Sequence, residues 1–187
     1  MTRVRVLIPQ RTRVYLGCEG QSEQSYGRLL SQVAEDAGLH LHLDTDPLCG
    51  GDPLAIVQTA IRHINQRKKL RGDFAHRALL LDRDRIGLTP ERDREIAAIA
   101  EENSVLLIWQ NPCHEGFLLR HFEGQATARP PTSDLAIREL RRIWPEYCKG
   151  MPASQLAARI EIRAIHRARA VEEQFSRLLD AIEFPRF

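Results

Sequence analysis

Four short apolar runs, separated by stretches with helical spacing, restrict the fold of this chain more than any other feature. The runs are Arg13–Cys18, the alternation Leu39, Leu41 and Leu43, then Ala78–Leu81, then Val105–Trp109. Ala78–Leu81 and Val105–Trp109 are apolar at every position, so each must be covered on both faces. A sheet covered on both sides by the helices that join its strands meets that demand. The sequence therefore predicts an α/β fold: an open, mainly parallel four-stranded sheet flanked by helices.

The joining segments fit this reading. Tyr26, Leu29, Leu30 and Val33 recur at helical spacing from Ser22 to about Ala37, and Gly38 supplies a stop. Asp52 stands as an N-cap with Pro53 at the first helical position. The helix it opens carries Leu54, Ile56, Val57, Ala60, Ile61 and Ile64, then ends in the basic run Gln66–Lys69. Thr89-Pro90 opens a third helix that runs to about Glu102. The alternation stops after Asn111-Pro112, with no further strand run. Phe117, Leu118, Leu119 and Phe122 predict a short helix, residues 126–133 a linker, and Asp134–Ile182 a helical region broken at Lys149–Pro152. These boundaries give an α/β core over 1–125 and a helical carboxyl-terminal extension of the same domain over 126–187. Val4, Val6 and Ile8 alternate before Pro9, which suits an edge strand or a loose lead-in.

A length of 187 residues, 43% of them hydrophobic, is enough for one real core. The net charge of +2 neither demands nor opposes a nucleic-acid partner. Four cysteines lie far apart with no CxxC pair, so a reduced, cytoplasmic protein is expected. No run approaches the roughly 18 apolar residues of a membrane span, and neither a membrane partner nor a signal peptide is expected.

Carboxylates follow two of the strand runs directly. Glu19 and Glu23 come after Arg13–Cys18, and Asp82 and Asp84 come after Ala78–Leu81. Open α/β sheets bind ligands at the carboxyl ends of their strands. Asp82 and Asp84, two residues apart, share one side of an extended chain. If the two strands are neighbours the groups converge, and converging carboxylates repel unless a cation lies between them. Hard oxygen donors suit Mg²⁺ or Mn²⁺. Glu19, Asp82 and Asp84 are thus candidate metal ligands. Glu19, Glu23, Asp82, Asp84 and Glu115, which follows the fourth strand run, are candidate catalytic residues. Each pair alone also fits a solvated turn, and Glu115 also fits a first-turn acid facing a helix dipole.

Three blocks in order resemble a known family. They are Glu19-Gly20-Gln21-Ser22-Glu23-Gln24-Ser25-Tyr26, Asp82-Arg83-Asp84, and Asn111-Pro112-Cys113-His114-Glu115-Gly116-Phe117-Leu118-Leu119-Arg120-His121-Phe122. The first two look like the Toprim fold of topoisomerases, primases and nucleases. The set is similar to its RloB-like branch, over roughly the first two thirds of the chain. His114 departs from the pattern by replacing an aromatic residue, and Phe117 by replacing a tryptophan. The resemblance implies Toprim-type metal chemistry at Glu19, Asp82 and Asp84, and a part in bacterial defence against phage, often beside an ATPase partner.

Other polar residues have weaker patterns. Arg159, Arg163 and Arg167 repeat every four residues and would share one helix face. With Arg83 they are candidate nucleic-acid contacts, although such a stripe also suits a solvated surface. His121 is a possible acid or base. Metal-dependent hydrolysis of DNA or RNA is the leading expectation. A catalytically silent, Toprim-shaped subunit that binds an ATPase is the alternative. A phosphatase of haloacid-dehalogenase type, with Asp82 as nucleophile and Asp84 as acid, comes third because it needs later strand-borne acids. A homo-oligomer is compatible with all three.

Overall fold

The computed structural model describes residues 11–186. The alternation of Val4, Val6 and Ile8 lies outside the described residues. The chain runs β1 (Thr12–Cys18), α1 (Gln21–Asp36), β2 (Leu41–Pro47), α2 (Pro53–Arg71), β3 (His76–Asp82), α3 (Pro90–Glu102) and β4 (Leu106–Gln110). Five shorter helices follow: α4 (His114–Leu119), α5 (Ser133–Ile143), α6 (Ala153–Ala157), α7 (Ile162–Arg169) and α8 (Glu173–Ala181). The strands form one four-stranded sheet in the order β2-β1-β3-β4, and each neighbouring pair is parallel. This is the expected α/β architecture of Toprim type, with its helical carboxyl-terminal region.

Strand periodicity divides the apolar residues between two faces. Val14, Leu16, Cys18, Ala78, Leu80 and Ile108 belong to one cluster, with Tyr26, Leu29 and Leu30 of α1. Leu140 of α5, Ile165 of α7 and Phe175 of α8 join the same cluster, so the segment after residue 126 shares its core with the sheet. Tyr15, Leu79 and Leu81 face the other way, against Ile56, Val57 and Ala60 of α2 and Ile96 and Ala100 of α3. Gly17 fits between the layers because a Cβ there would lie 2.3 Å from Leu79 Cδ2. Leu107 is only partly buried, since β4 is an edge strand.

Local chemistry sets the ends of the helices. Asp52 accepts from the Ala55 N–H at 3.2 Å, with Pro53 opening α2 as expected. Gly38 follows α1 at φ 78°, a left-handed conformation suited to glycine. The fourth helix starts where the apolar spacing predicts a short one, with Cys113 as its N-cap and His114 its first residue. One expectation changes. The long carboxyl-terminal helical region is four helices, and Ile160 and Glu161 interrupt it between α6 and α7. Among the described residues no helix is long and apolar enough to cross a membrane.

Candidate metal and active site

The order β2-β1-β3-β4 makes β1 and β3 neighbours, and the register Cys18↔Leu80 carries β3 on to Asp82 just past the end of β1. Glu19 extends the ladder, its N–H donating to Leu80 O at 3.1 Å. Its carboxylate then crosses to the next strand, where Oε2 accepts from the Asp82 N–H at 2.8 Å. Glu19 and Asp82 therefore share the carboxyl edge of the sheet. Gly20 leads into α1, and its N–H donates to Glu23 Oε2 at 2.9 Å. Its backbone is ordinary extended chain; glycine fits because a Cβ would come within 3.2 Å of that same oxygen.

Asp82 is the electrostatic centre of this edge. Burial first, then the charges of Glu23, Glu19, Asp84 and Glu115, push its carboxyl up to about 9. Its Oδ1 is buried with no hydrogen-bond partner. Glu19 is also raised, mainly by burial, although the Asp82 N–H opposes the shift. Asp84 is exposed at the rim beside Arg83, whose own N–H is shared between Gln110 O at 3.0 Å and Pro112 O at 3.1 Å.

Glu115, only 1% exposed, is presented by the first turn of α4. Gly116 permits the tight approach, since a Cβ there would lie 2.8 Å from Asn111 O and 2.7 Å from Pro112 Cδ. The Cys113 thiol donates to Glu115 Oε2 at 3.2 Å, and the Tyr147 hydroxyl to Oε1 at 3.2 Å. The Lys149 ammonium stands 3.7 Å from the same Oε1. Burial raises the Cys113 thiol to about 11 and holds the Tyr147 phenol above its ordinary range, so both keep their protons. The loop after α5 is tied down where the Gly150 N–H donates to Ser22 Oγ at 2.9 Å.

Tyr147 and Lys149 escaped the sequence reading, which left Tyr147 in a helical stretch and took Lys149 only as the start of its break. The available signal was an aromatic and a lysine in a Gly-Pro loop, too common to single out. His114 was not among the candidate site residues. It is buried between Glu23, 3.8 Å from Nδ1, and the Gln110 amide at 3.0 Å. Burial lowers its basicity, with the nearby carboxylates opposing.

Other sequence candidates lie apart from these acids. His121 is buried against Tyr26, Phe117 and Phe175. Its Nδ1 donates to Phe117 O at 3.2 Å and its Nε2 accepts from the Tyr26 hydroxyl at 2.7 Å, which describes a neutral ring. Burial depresses its basicity to about 3, so it fills the role of a core residue. The arginine stripe does not form on one helix. Arg159 lies in the turn after α6, stacked over Phe122 and Trp144 at 5.9 Å. Arg167 donates to His121 O at 2.7 Å, and Arg163 points into a separate cavity. The break at Ile160-Glu161 destroys the spacing that one continuous helix would have given. The phosphatase alternative loses its partners too: among the described residues no strand follows β4 to carry a later acidic pair.

The donor set is of the kind that hard divalent cations take: carboxylate oxygens, one buried and unpartnered, in mutual repulsion. As arranged, however, no group of three or more His, Cys, Asp or Glu side chains among the described residues is placed to hold a metal ion. A family model described as RloB-like protein matches residues 14–181, from within β1 to the end of α8. No curated protein and no solved structure matches the chain.

Proposed function

The chain belongs to the RloB-like family, and from that premise we propose that its acidic sheet edge is a Mg²⁺- or Mn²⁺-dependent site for hydrolysis of nucleic-acid phosphodiesters. The observation that supports this most is Asp82, whose unpartnered Oδ1 and raised carboxyl mark a buried acid lacking a counter-charge. Glu19, Asp82 and Asp84 are the residues that would hold the ion. A bound divalent cation supplies Lewis-acid charge and lowers the pKa of an attacking water. The chain's own part is then to release the Asp82 proton and keep Glu115 fixed through Tyr147 and Cys113. Lys149, whose side chain is 61% exposed, and Arg83 set positive charge beside a substrate that the carboxylates alone would repel. In the family setting the activity belongs to anti-phage defence and depends on an ATPase partner.

A second reading, a catalytically silent subunit that binds such an ATPase, has its own support and fits the side chains as they stand better. Glu19, Glu23 and Glu115 already accept hydrogen bonds from protein donors, and among the described residues no three His, Cys, Asp or Glu groups are placed to hold a common ion. One experiment separates the two. The protein is assayed with its ATPase neighbour on both DNA and RNA, with Mg²⁺, Mn²⁺ or EDTA. Divalent-dependent cleavage that Glu19→Gln abolishes supports the nuclease. Phage protection that survives Glu19→Gln and Asp82→Asn, without divalent-dependent cleavage, supports the silent subunit.

A further inference from the structure

A second polar site lies in the helical region, away from the acidic edge. A cavity of ≈ 880 Å³ is lined by Arg163 and Arg169 of α7 and by Arg186 of the carboxyl-terminal tail, with Ser176 of α8 on its wall. Ile162 and Ala170 add an apolar part to the lining. The volume falls within the range of small-molecule sites, about 300–1,000 Å³.

Among the described residues the charges here do not balance. Arg169 pairs with Asp180 and also donates to Phe184 O at 3.3 Å and Pro185 O at 3.2 Å. Arg186 binds the same Asp180 oxygen at 2.6 Å. Asp180 is thereby held below the usual carboxylate range, first by Arg186, against the pull of burial. Arg163 is exposed and, among the described residues, has no carboxylate partner. Three guanidinium groups thus face one cavity with one acid shared between two of them. A planar guanidinium matches phosphate oxygens in charge and in fork geometry.

Topology argues for a small ligand rather than the substrate strand. Thr12, Leu41 and His76, the first residues of β1, β2 and β3, line a pocket together with Ala181–Glu183 at the end of α8. Ile162 and Pro185 line a groove with Val33, Asp36 and Ala37, the end of α1. The tail and the start of α7 therefore lie toward the amino edge of the sheet, opposite Glu19 and Asp82. A phosphodiester held at the acids would not run into this cavity by the shortest path.

We propose that the α7–tail cavity binds a nucleoside phosphate, with its phosphates on Arg163 and Arg186 and its remainder against Ile162 and Ala170. Arg169 holds the tail in place through its two carbonyl contacts.

The test is calorimetric titration of the full chain in EDTA with ATP, inorganic pyrophosphate, adenosine and a short single-stranded oligonucleotide. Wild type, Arg163→Ala, Arg186→Ala and Glu19→Gln are compared. Arg163 and Arg186 are both exposed, so their removal should leave the thermal melt close to wild type. Expected are saturable binding of ATP and pyrophosphate, little binding of adenosine, and a loss of roughly tenfold or more in each arginine variant. Glu19→Gln should bind as wild type does. The proposal is overturned by no saturable binding up to roughly 1 mM, by binding that both arginine variants leave unchanged, or by adenosine binding as well as ATP. Tighter, arginine-dependent binding of the oligonucleotide would also overturn it and assign the cavity to a nucleic-acid strand.

Discussion

Replacing Asp82 with asparagine should stabilise the metal-free protein, by an amount that grows with pH. In the fold this carboxyl is pushed up to about 9 by burial and by the carboxylates around it. In the unfolded chain it has an ordinary value of about 3.9. The folded state therefore keeps a proton that the unfolded state releases. Stability from this group is complete below pH of about 4 and is lost as pH rises toward about 9. At pH 7 the difference spans roughly 3 pH units, or about 4 kcal/mol at 1.36 kcal/mol per unit. Asp82 retains some solvent exposure, which lowers the realised figure to about 2–4 kcal/mol. Asparagine has nearly the same shape and needs no proton, so the variant escapes the cost. For a chain of this size 1 kcal/mol corresponds to about 2–4 °C, giving a gain of roughly 4–16 °C at pH 7. The assay is thermal unfolding in EDTA at pH 4.5, 7 and 8.5, read as the difference between variant and wild type. That difference should be small at pH 4.5 and largest at pH 8.5. An equal difference at all three pH values, or a variant less stable than wild type at pH 8.5, would refute the electrostatic account of this edge.

Other outcomes test the rest of the structure. Mg²⁺ or Mn²⁺ should raise the melting temperature of wild type at pH 8 more than that of Glu19→Gln, because fewer carboxylates then need a counter-charge; equal shifts would count against Glu19 as a ligand. Leu80→Ala, at a fully buried strand position, should cost about 2–5 kcal/mol in denaturant unfolding, and Leu107→Ala on the partly buried edge strand clearly less. Gly116→Ala should cost about 1–3 kcal/mol, since the new methyl meets backbone at 2.8 Å that cannot simply rotate away; an unchanged midpoint would mean that the α4 entrance is looser than described. Tyr26→Phe removes the donor to His121 Nε2 and should cost about 1–3 kcal/mol without changing any divalent-dependent cleavage; loss of cleavage with full stability would return His121 to the active site.

The sequence by itself determined the sheet and the helices that cover it. Ala78–Leu81 has no polar face, so it had to be covered on both sides, and the helical spacing between runs left parallel strands as the economical solution. Asp52-Pro53 and Thr89-Pro90 marked helix starts locally, because capping depends on neighbours in the chain. It also placed Glu19, Asp82 and Glu115 at strand ends. Strand order was not local. Only the tertiary structure put β1 beside β3, and that adjacency lets the Asp82 N–H reach Glu19. The same holds for Tyr147 and Lys149, brought to Glu115 from a loop more than thirty residues away in sequence. The arginine repeat shows the opposite failure: the spacing of Arg159, Arg163 and Arg167 suited one helix, but Ile160 is fully buried in the core and the chain turns there. Local periodicity reads what one element can do. Where elements meet is decided by packing summed over the whole core, which no short window of sequence contains.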